Sequence, residues 1–329
     1  MKRITALLLT LTFISSIGIA QNRTASFDEN RIRERVKRLS ADDFEGRGPG
    51  TEGGKRAAQY IADQMKASGV KPGNKGSYFQ NVKLVGVKAD PNTVLNVASA
   101  GANAAFKFGD EFVATTSAQV ADVSVDSEVV FVGYGVDAPQ YNWNDYSGSP
   151  DDYKGKILMI MVNDPPSTTD EPTLFGGKAL TYYGRWTYKY EEAARRGAAG
   201  VILIHTTESA GYGWNVVRTS NGNWRYEIAR TATDTSPFLK IKSWMTNDAA
   251  ARMLKLGGLN IEQLRSNAAK RGFKPVKTGL KVKLALKSEF KTFESPNVVG
   301  QIEGSDPKLK SENVLITGHW DHLGIGEAD

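Results

Sequence analysis

Three continuous apolar runs in the middle of the chain constrain its fold most: Glu128–Tyr134 (EVVFVGY), Lys156–Val162 (KILMIMV) and Gly200–His205 (GVILIH). A strand with one wet face alternates apolar and polar residues. A run without alternation has to be covered on both faces, as parallel strands are when helices pack above and below them. Thr187–Arg196 has helical spacing and stops at Gly197, between the second run and the third. Strand, helix and strand in close succession make a βαβ-like unit, so the fold class is α/β.

The flanks have a different texture. Leu280, Val282, Leu284 and Leu286 alternate with lysines, which predicts a strand with one wet face. Ser295-Pro296 is expected to end it, Asn297–Glu303 to follow as a hairpin-like partner, and Asn313–Thr317 (NVLIT) to form a buried strand. Val82–Phe112 reads as short strands broken at Asp90-Pro91 and Gly101. Residues 28–39 read as an amphipathic helix with Ile32, Val36 and Leu39 on one stripe, and Lys55–Ser68 as a second helix stopped by Gly69. FEGRGPGTEGG (44–54) lies between them and is too glycine-rich for helix or strand. Further on, 206–236 reads as a surface loop and Phe238–Ile241 as a strand. Thr246 or Asn247 caps a helix to Leu256, and Ile261–Lys270 forms a short one.

The first twenty residues have the three parts of a secretory signal: Lys2-Arg3, the apolar Ile4–Ile14, and small residues around Ala20. A membrane anchor is the alternative, but Thr10, Thr12, Ser15 and Ser16 interrupt the run. The expectation is cleavage after Ala20 and a secreted or periplasmic location, with no membrane association afterwards. The chain has no cysteine, which excludes disulfides, thiolate zinc sites and a cysteine nucleophile, so stability has to come from the core. Its net charge of +6 is spread without dense Lys/Arg blocks, so no nucleic-acid partner is expected.

A phosphate-binding loop would need glycine where Pro49 stands and Ser or Thr where Arg56 stands, and no G-x-S-x-G elbow occurs. The informative stretch is the last, NVLITGHWDHLGIGEAD. On an extended backbone His319 and Asp321 share a side and Trp320 points away. An imidazole beside a carboxylate suits a zinc ligand and the group that orients it. His322 falls on the other side and is assigned a structural place. Two of the chain's three histidines lie in this motif; the third, His205, ends an apolar strand and reads as a packing residue. Asp145, Asp151 and Asp152 read as solvated turn residues. Trp186, Trp214 and Trp224 could line a peptide cleft, with core packing or loop anchoring the leading assignment.

GHWDHLG at the exit of NVLIT resembles the H-x-D-H-x-G signature of the secreted co-catalytic zinc aminopeptidases, metallopeptidase family twenty-eight. FEGRGPGTEGGKRAAQYIADQM is similar to the family's N-terminal glycine-arginine loop and helix. SPNVVGQIEGSDPKLKSENVLITGH is similar to its strands leading to the first metal ligand. VVFVGYGV, DYKGKILMIMV and AARRGAAGVILIH resemble the protease-associated domain that many members carry as an insert. The resemblance implies a mixed-sheet zinc-exopeptidase (phosphorylase/hydrolase-like) fold. Residues 21–118 and 259–329 would belong to the peptidase domain and 119–258 to the insert, acting as a lid. It implies that His319 is a metal ligand and Asp321 the catalytic-site carboxylate orienting it. Two zinc ions would share a bridging Asp, a Glu would be the general base, and the substrate would be a peptide with a free N-terminus. The family's remaining ligands follow HWDHLG, whereas this sequence ends at Asp329. By the resemblance, it therefore represents the N-terminal part only and is expected to be inactive alone. A non-catalytic, receptor-like protein on the same scaffold is the alternative; glutaminyl cyclisation on a related one-zinc scaffold fits less well, because the insert resembles the peptidase branch.

Overall fold

The computed structural model describes residues 27–326, so the expected signal segment lies outside the described residues. The described residues divide into two compact units, 68–302 and 27–67 together with 303–326.

The first unit holds α1 (Glu29–Leu39), a 3-10 turn at Asp42–Arg47 and α2 (Glu52–Ala67). The Asp28 carboxylate caps α1, accepting the N–H groups of Asn30 at 2.9 Å and Arg31 at 3.4 Å. Part of the glycine-rich stretch is helical after all, because α2 starts at Glu52 with Gly53 and Gly54 in its first turn. Close approach explains both glycines: a Cβ on Gly53 would lie 2.2 Å from the Phe44 carbonyl oxygen, and one on Gly54 2.2 Å from that of Gly48. Phe44 is buried in this contact, with the Arg38 guanidinium 4.1 Å above its ring and paired to Asp43 at 2.7 and 2.8 Å.

Residues 313–317 are not the buried strand expected of them. They form no strand, and Val314, Leu315 and Ile316 are 95%, 83% and 92% exposed. An apolar run becomes a strand only where neighbours take its N–H and C=O groups, and no strand among the described residues pairs with it.

The second unit is α/β with a mixed sheet. In chain order its elements are β1 (Lys71–Pro72), β2 (Phe79–Ala89), β3 (Val94–Ala98), β4 (Asn103–Lys107), β5 (Phe112–Thr115), β6 (Asp122–Phe131), β7 (Asp137–Ala138), β8 (Trp143–Asn144) and β9 (Ile157–Met161). They continue with α3 (Trp186–Arg195), β10 (Gly200–His205), α4 (Thr207–Ala210), α5 (Trp214–Gly222), β11 (Arg225–Ile228), β12 (Ile241–Thr246), α6 (Asn247–Leu256), α7 (Ile261–Ala268), β13 (Val276–Val298) and β14 (Gly300–Gln301). Ten strands form the main sheet in the order β11-β2-β13-β6-β9-β10-β12-β5, with β3 and β4 joined through β13. Strands β6, β9, β10 and β12 run parallel. Every residue of β9 and β10 is buried, as their unbroken apolar character requires. One face packs Phe131, Met159 and Ile202 against Met253 and Leu254 of α6 and Leu264 of α7. The other packs Leu158, Ile160 and Leu203 against Tyr190 and Ala194 of α3 and Val217 of α5.

Strand β13 does not end at Ser295-Pro296 but continues through it, with Pro296 opposite Asn81. Beyond Ser288, no strand among the described residues pairs with β13 on the side away from β2, and an edge strand can accommodate a residue without an N–H. The presumed loop at 206–236 contains α4, α5 and β11. The strand placed at 238–241 starts at Ile241, where it joins β10 in parallel register, and Thr246 caps the helix that follows. Among the described residues no helix is long and apolar enough to cross a membrane.

Candidate functional site

The histidine motif and the glycine-rich turn meet within the first unit. Glu45, Gly46 and Arg47 are three successive residues in the left-handed region, with φ of 50°, 61° and 53°. Two of them carry side chains, for which that conformation is unfavourable. The Gly46 carbonyl accepts the Gly324 N–H at 3.1 Å, and the Arg47 carbonyl accepts that of His322 at 3.0 Å. The Arg47 guanidinium donates to the carbonyls of Trp320, at 3.0 Å, and Leu39. Contact is close enough that a Cβ on Gly46 would lie 2.5 Å from the Gly324 oxygen. Glu45 supports the turn from behind, accepting the Gly53 N–H at the start of α2 at 3.0 Å and pairing with Arg56 at 2.9 Å.

On this backing stand His319 and Asp321. His319 Nδ1 lies 2.9 Å from the Asp321 carbonyl oxygen and 3.5 Å from its carboxylate. A carbonyl oxygen can only accept, so Nδ1 carries the hydrogen and the lone pair of the neutral ring sits on Nε2. The His319 side chain is 83% exposed and that of Asp321 43%. Imidazole and carboxylate are acceptable zinc donors, but a catalytic zinc takes about three protein ligands. Among the described residues no group of three or more His, Cys, Asp or Glu is placed to hold a metal. The residues present therefore do not complete a zinc centre, and no catalytic step through zinc is derived from them.

The other candidates lie in the second unit, each described by its own surroundings. His205 is buried with Nε2 at 3.0 Å from the Tyr212 carbonyl, ringed by Tyr212, Trp214 and Trp244, and burial lowers its pKa. It is a packed, hydrogen-bonded residue. Trp186 and Trp214 pack against the core, and Trp224 lies under the Lys291 ammonium at 4.3 Å. The cavity beside Trp186, Tyr190, Tyr212 and Trp244 measures about 80 Å³, well short of the roughly 300 Å³ of a small-molecule pocket.

Asp145 is not a solvated turn residue but fully buried. Its carboxylate accepts the Val136 N–H at 3.0 Å and the Trp143 indole N–H at 2.8 Å, and burial pushes its pKa up. The buried Lys189 donates to the Asn163 carbonyl at 3.1 Å. Burial pushes its pKa down, while Asp145 and Asp164 pull it back up. Asp152 caps its own turn, accepting the Ser149 N–H at 2.9 Å, and pairs with Lys277 at 2.8 Å; Asp151 is exposed.

No protein-family model and no curated protein matches the chain. Solved structures do. An aminopeptidase from Aneurinibacillus sp. strain AM-1 aligns at 19% identity with a TM-score of 0.37, over 85% of this chain and 50% of that one. BSAP, a zinc aminopeptidase from Bacillus subtilis, aligns at 15% identity with a TM-score of 0.30, over 84% and 47%. The chain spans about half the length of these two structures. Overlays this loose carry no functional assignment, and the residues of the first unit have to supply one.

Proposed function

We propose that the chain contributes the first metal ligand of an exported, zinc-dependent exopeptidase that removes N-terminal residues from peptides. One observation supports this reading above the others: the Asp321 carbonyl fixes the Nδ1–H tautomer of His319, leaving Nε2 exposed as a donor. Metal-ligating histidines are commonly held in this way, by a hydrogen bond from the ring nitrogen that does not touch the metal. His319 would hold one zinc through Nε2 and Asp321 would fix the ring. The chemistry a zinc bound at such a site would supply is Lewis acidity. Among the described residues one imidazole is oriented and no group of three ligands is assembled, so the chain alone is proposed to be inactive.

The test is zinc uptake and leucine-anilide cleavage by the purified chain beside His319→Ala. The proposal expects weak uptake that the substitution abolishes and no turnover above a zinc blank. Uptake indifferent to His319 overturns the ligand assignment, and robust turnover overturns the incompleteness.

A further inference from the structure

Arg47 bonds three ways to its surroundings in the first unit. Its guanidinium donates through Nε to Trp320 O at 3.0 Å and through Nη1 to Leu39 O, and its own carbonyl accepts the His322 N–H at 3.0 Å. Trp320 separates His319 from Asp321, so the first bond grips the peptide between the two candidate site residues. The grip has a conformational cost: Arg47 stands at φ 53°, next to Glu45 and Gly46 in the same region. Side-chain-bearing residues persist there only where the surroundings over-determine the backbone, and such positions concentrate where a geometry has to be held. The 313–318 segment forms no strand, so no sheet register sets the orientation of His319. The bonds to the glycine-rich turn take that place.

We propose that Arg47 is a positioning residue: through the Trp320 carbonyl it sets the backbone that lets Asp321 O hold His319 in the Nδ1–H tautomer. The importance of that tautomer rests on the zinc-ligand reading of His319, but the clamp itself is a separate claim. An arginine serves here because its planar fork donates in two directions from one rigid group, towards Trp320 and Leu39 at once. Lysine can reach one carbonyl with a single flexible ammonium, so it restores part of the grip.

The experiment is nitrogen-15 NMR of the full chain, comparing wild type, Arg47→Ala and Arg47→Lys. It reads the tautomer of the neutral His319 ring and the amide exchange of His322 and Gly324. In wild type, His319 carries its hydrogen on Nδ1 and both amides are protected. In Arg47→Ala the ring passes to a mixture of tautomers and the two amides exchange about tenfold faster, the effect of losing one charge-assisted hydrogen bond. Arg47→Lys falls between the two. An Arg47→Ala chain with unchanged tautomer and exchange overturns the proposal. So does equal loss in both variants together with lost protection in α2, which would make Arg47 a folding residue only. If His319 depends on Arg47 in this way but its Nε2 signal ignores added zinc, the clamp stands and the zinc reading falls.

Discussion

Gly53→Ala sets two opposed effects against each other in α2. Alanine is the better helix former by about 1 kcal/mol, so propensity alone predicts a stabilised helix. The packing predicts the reverse. The added Cβ would lie 2.2 Å from the Phe44 carbonyl oxygen, 2.6 Å from its carbon and 2.7 Å from Glu45 Cβ. Non-bonded carbon contacts settle at roughly 3.5–4.0 Å, so more than an ångström has to be found. Two of the three opposing atoms are backbone and cannot rotate away, so the turn has to move off the helix. Overpacking of this kind costs about 1–3 kcal/mol. The Gly53 N–H bond to Glu45, a capping interaction worth about 1 kcal/mol, stretches with it. The net expectation is a loss of about 1–3 kcal/mol, read as faster amide exchange in α2 and, through the 45–47 turn, at His322 and Gly324. Gly222→Ala is the control, since its Cβ would meet nothing within 4 Å at the end of α5. A Gly53→Ala chain as stable as wild type refutes the close-approach account.

Two further predictions concern the buried charges of residues 68–302. Lys189 has its pKa pushed down by burial to about 7, from 10.5 in an exposed chain. Between those values the unfolded chain holds a proton that the folded chain lacks, so this group makes stability rise with pH across the window and fall as pH drops towards 7. Lys189→Met should flatten that rise in urea titrations at pH 7 and 9.5, and an unchanged slope would contradict it. Asp145→Asn keeps the shape but sets an amide N–H against one of two buried donors, Val136 N–H or the Trp143 indole. The expected cost is about 1–3 kcal/mol, seen as a lower midpoint in tryptophan fluorescence; an unshifted midpoint would show the donors to be satisfied otherwise.

Some of this architecture was legible in the residues and some was not, for local reasons. Ile157–Met161 and Gly200–His205 announce themselves because burial on both faces removes all alternation, and that pattern needs no knowledge of neighbours. Pro296 misleads because a proline breaks a strand only where its N–H is wanted, which depends on the occupancy of an edge that sequence does not display. NVLIT fails in the opposite direction: its composition suits a strand, but pairing partners decide. Asp145 is hidden because its donors are a backbone N–H and an indole brought up by the β7–β8 turn region, and its buried neighbour Lys189 comes from α3. The glycine-rich loop shows in sequence that something packs closely there. Only the structure shows that the partners are α2 and residues 320–324. His319 and Asp321 can be picked out by their spacing, while Arg47, which holds the peptide between them, lies too far away in sequence to be linked to them.

The central claim is that His319 presents Nε2 as a metal donor while Asp321 occupies Nδ1. Zinc titration of the nitrogen-15-labelled chain, observed at the histidine rings, tests it most directly. The account predicts that His319 Nε2 shifts with added zinc, that Nδ1 keeps its hydrogen, and that His205 does not respond. A response at His319 Nδ1, or at His322 with His319 silent, would contradict it.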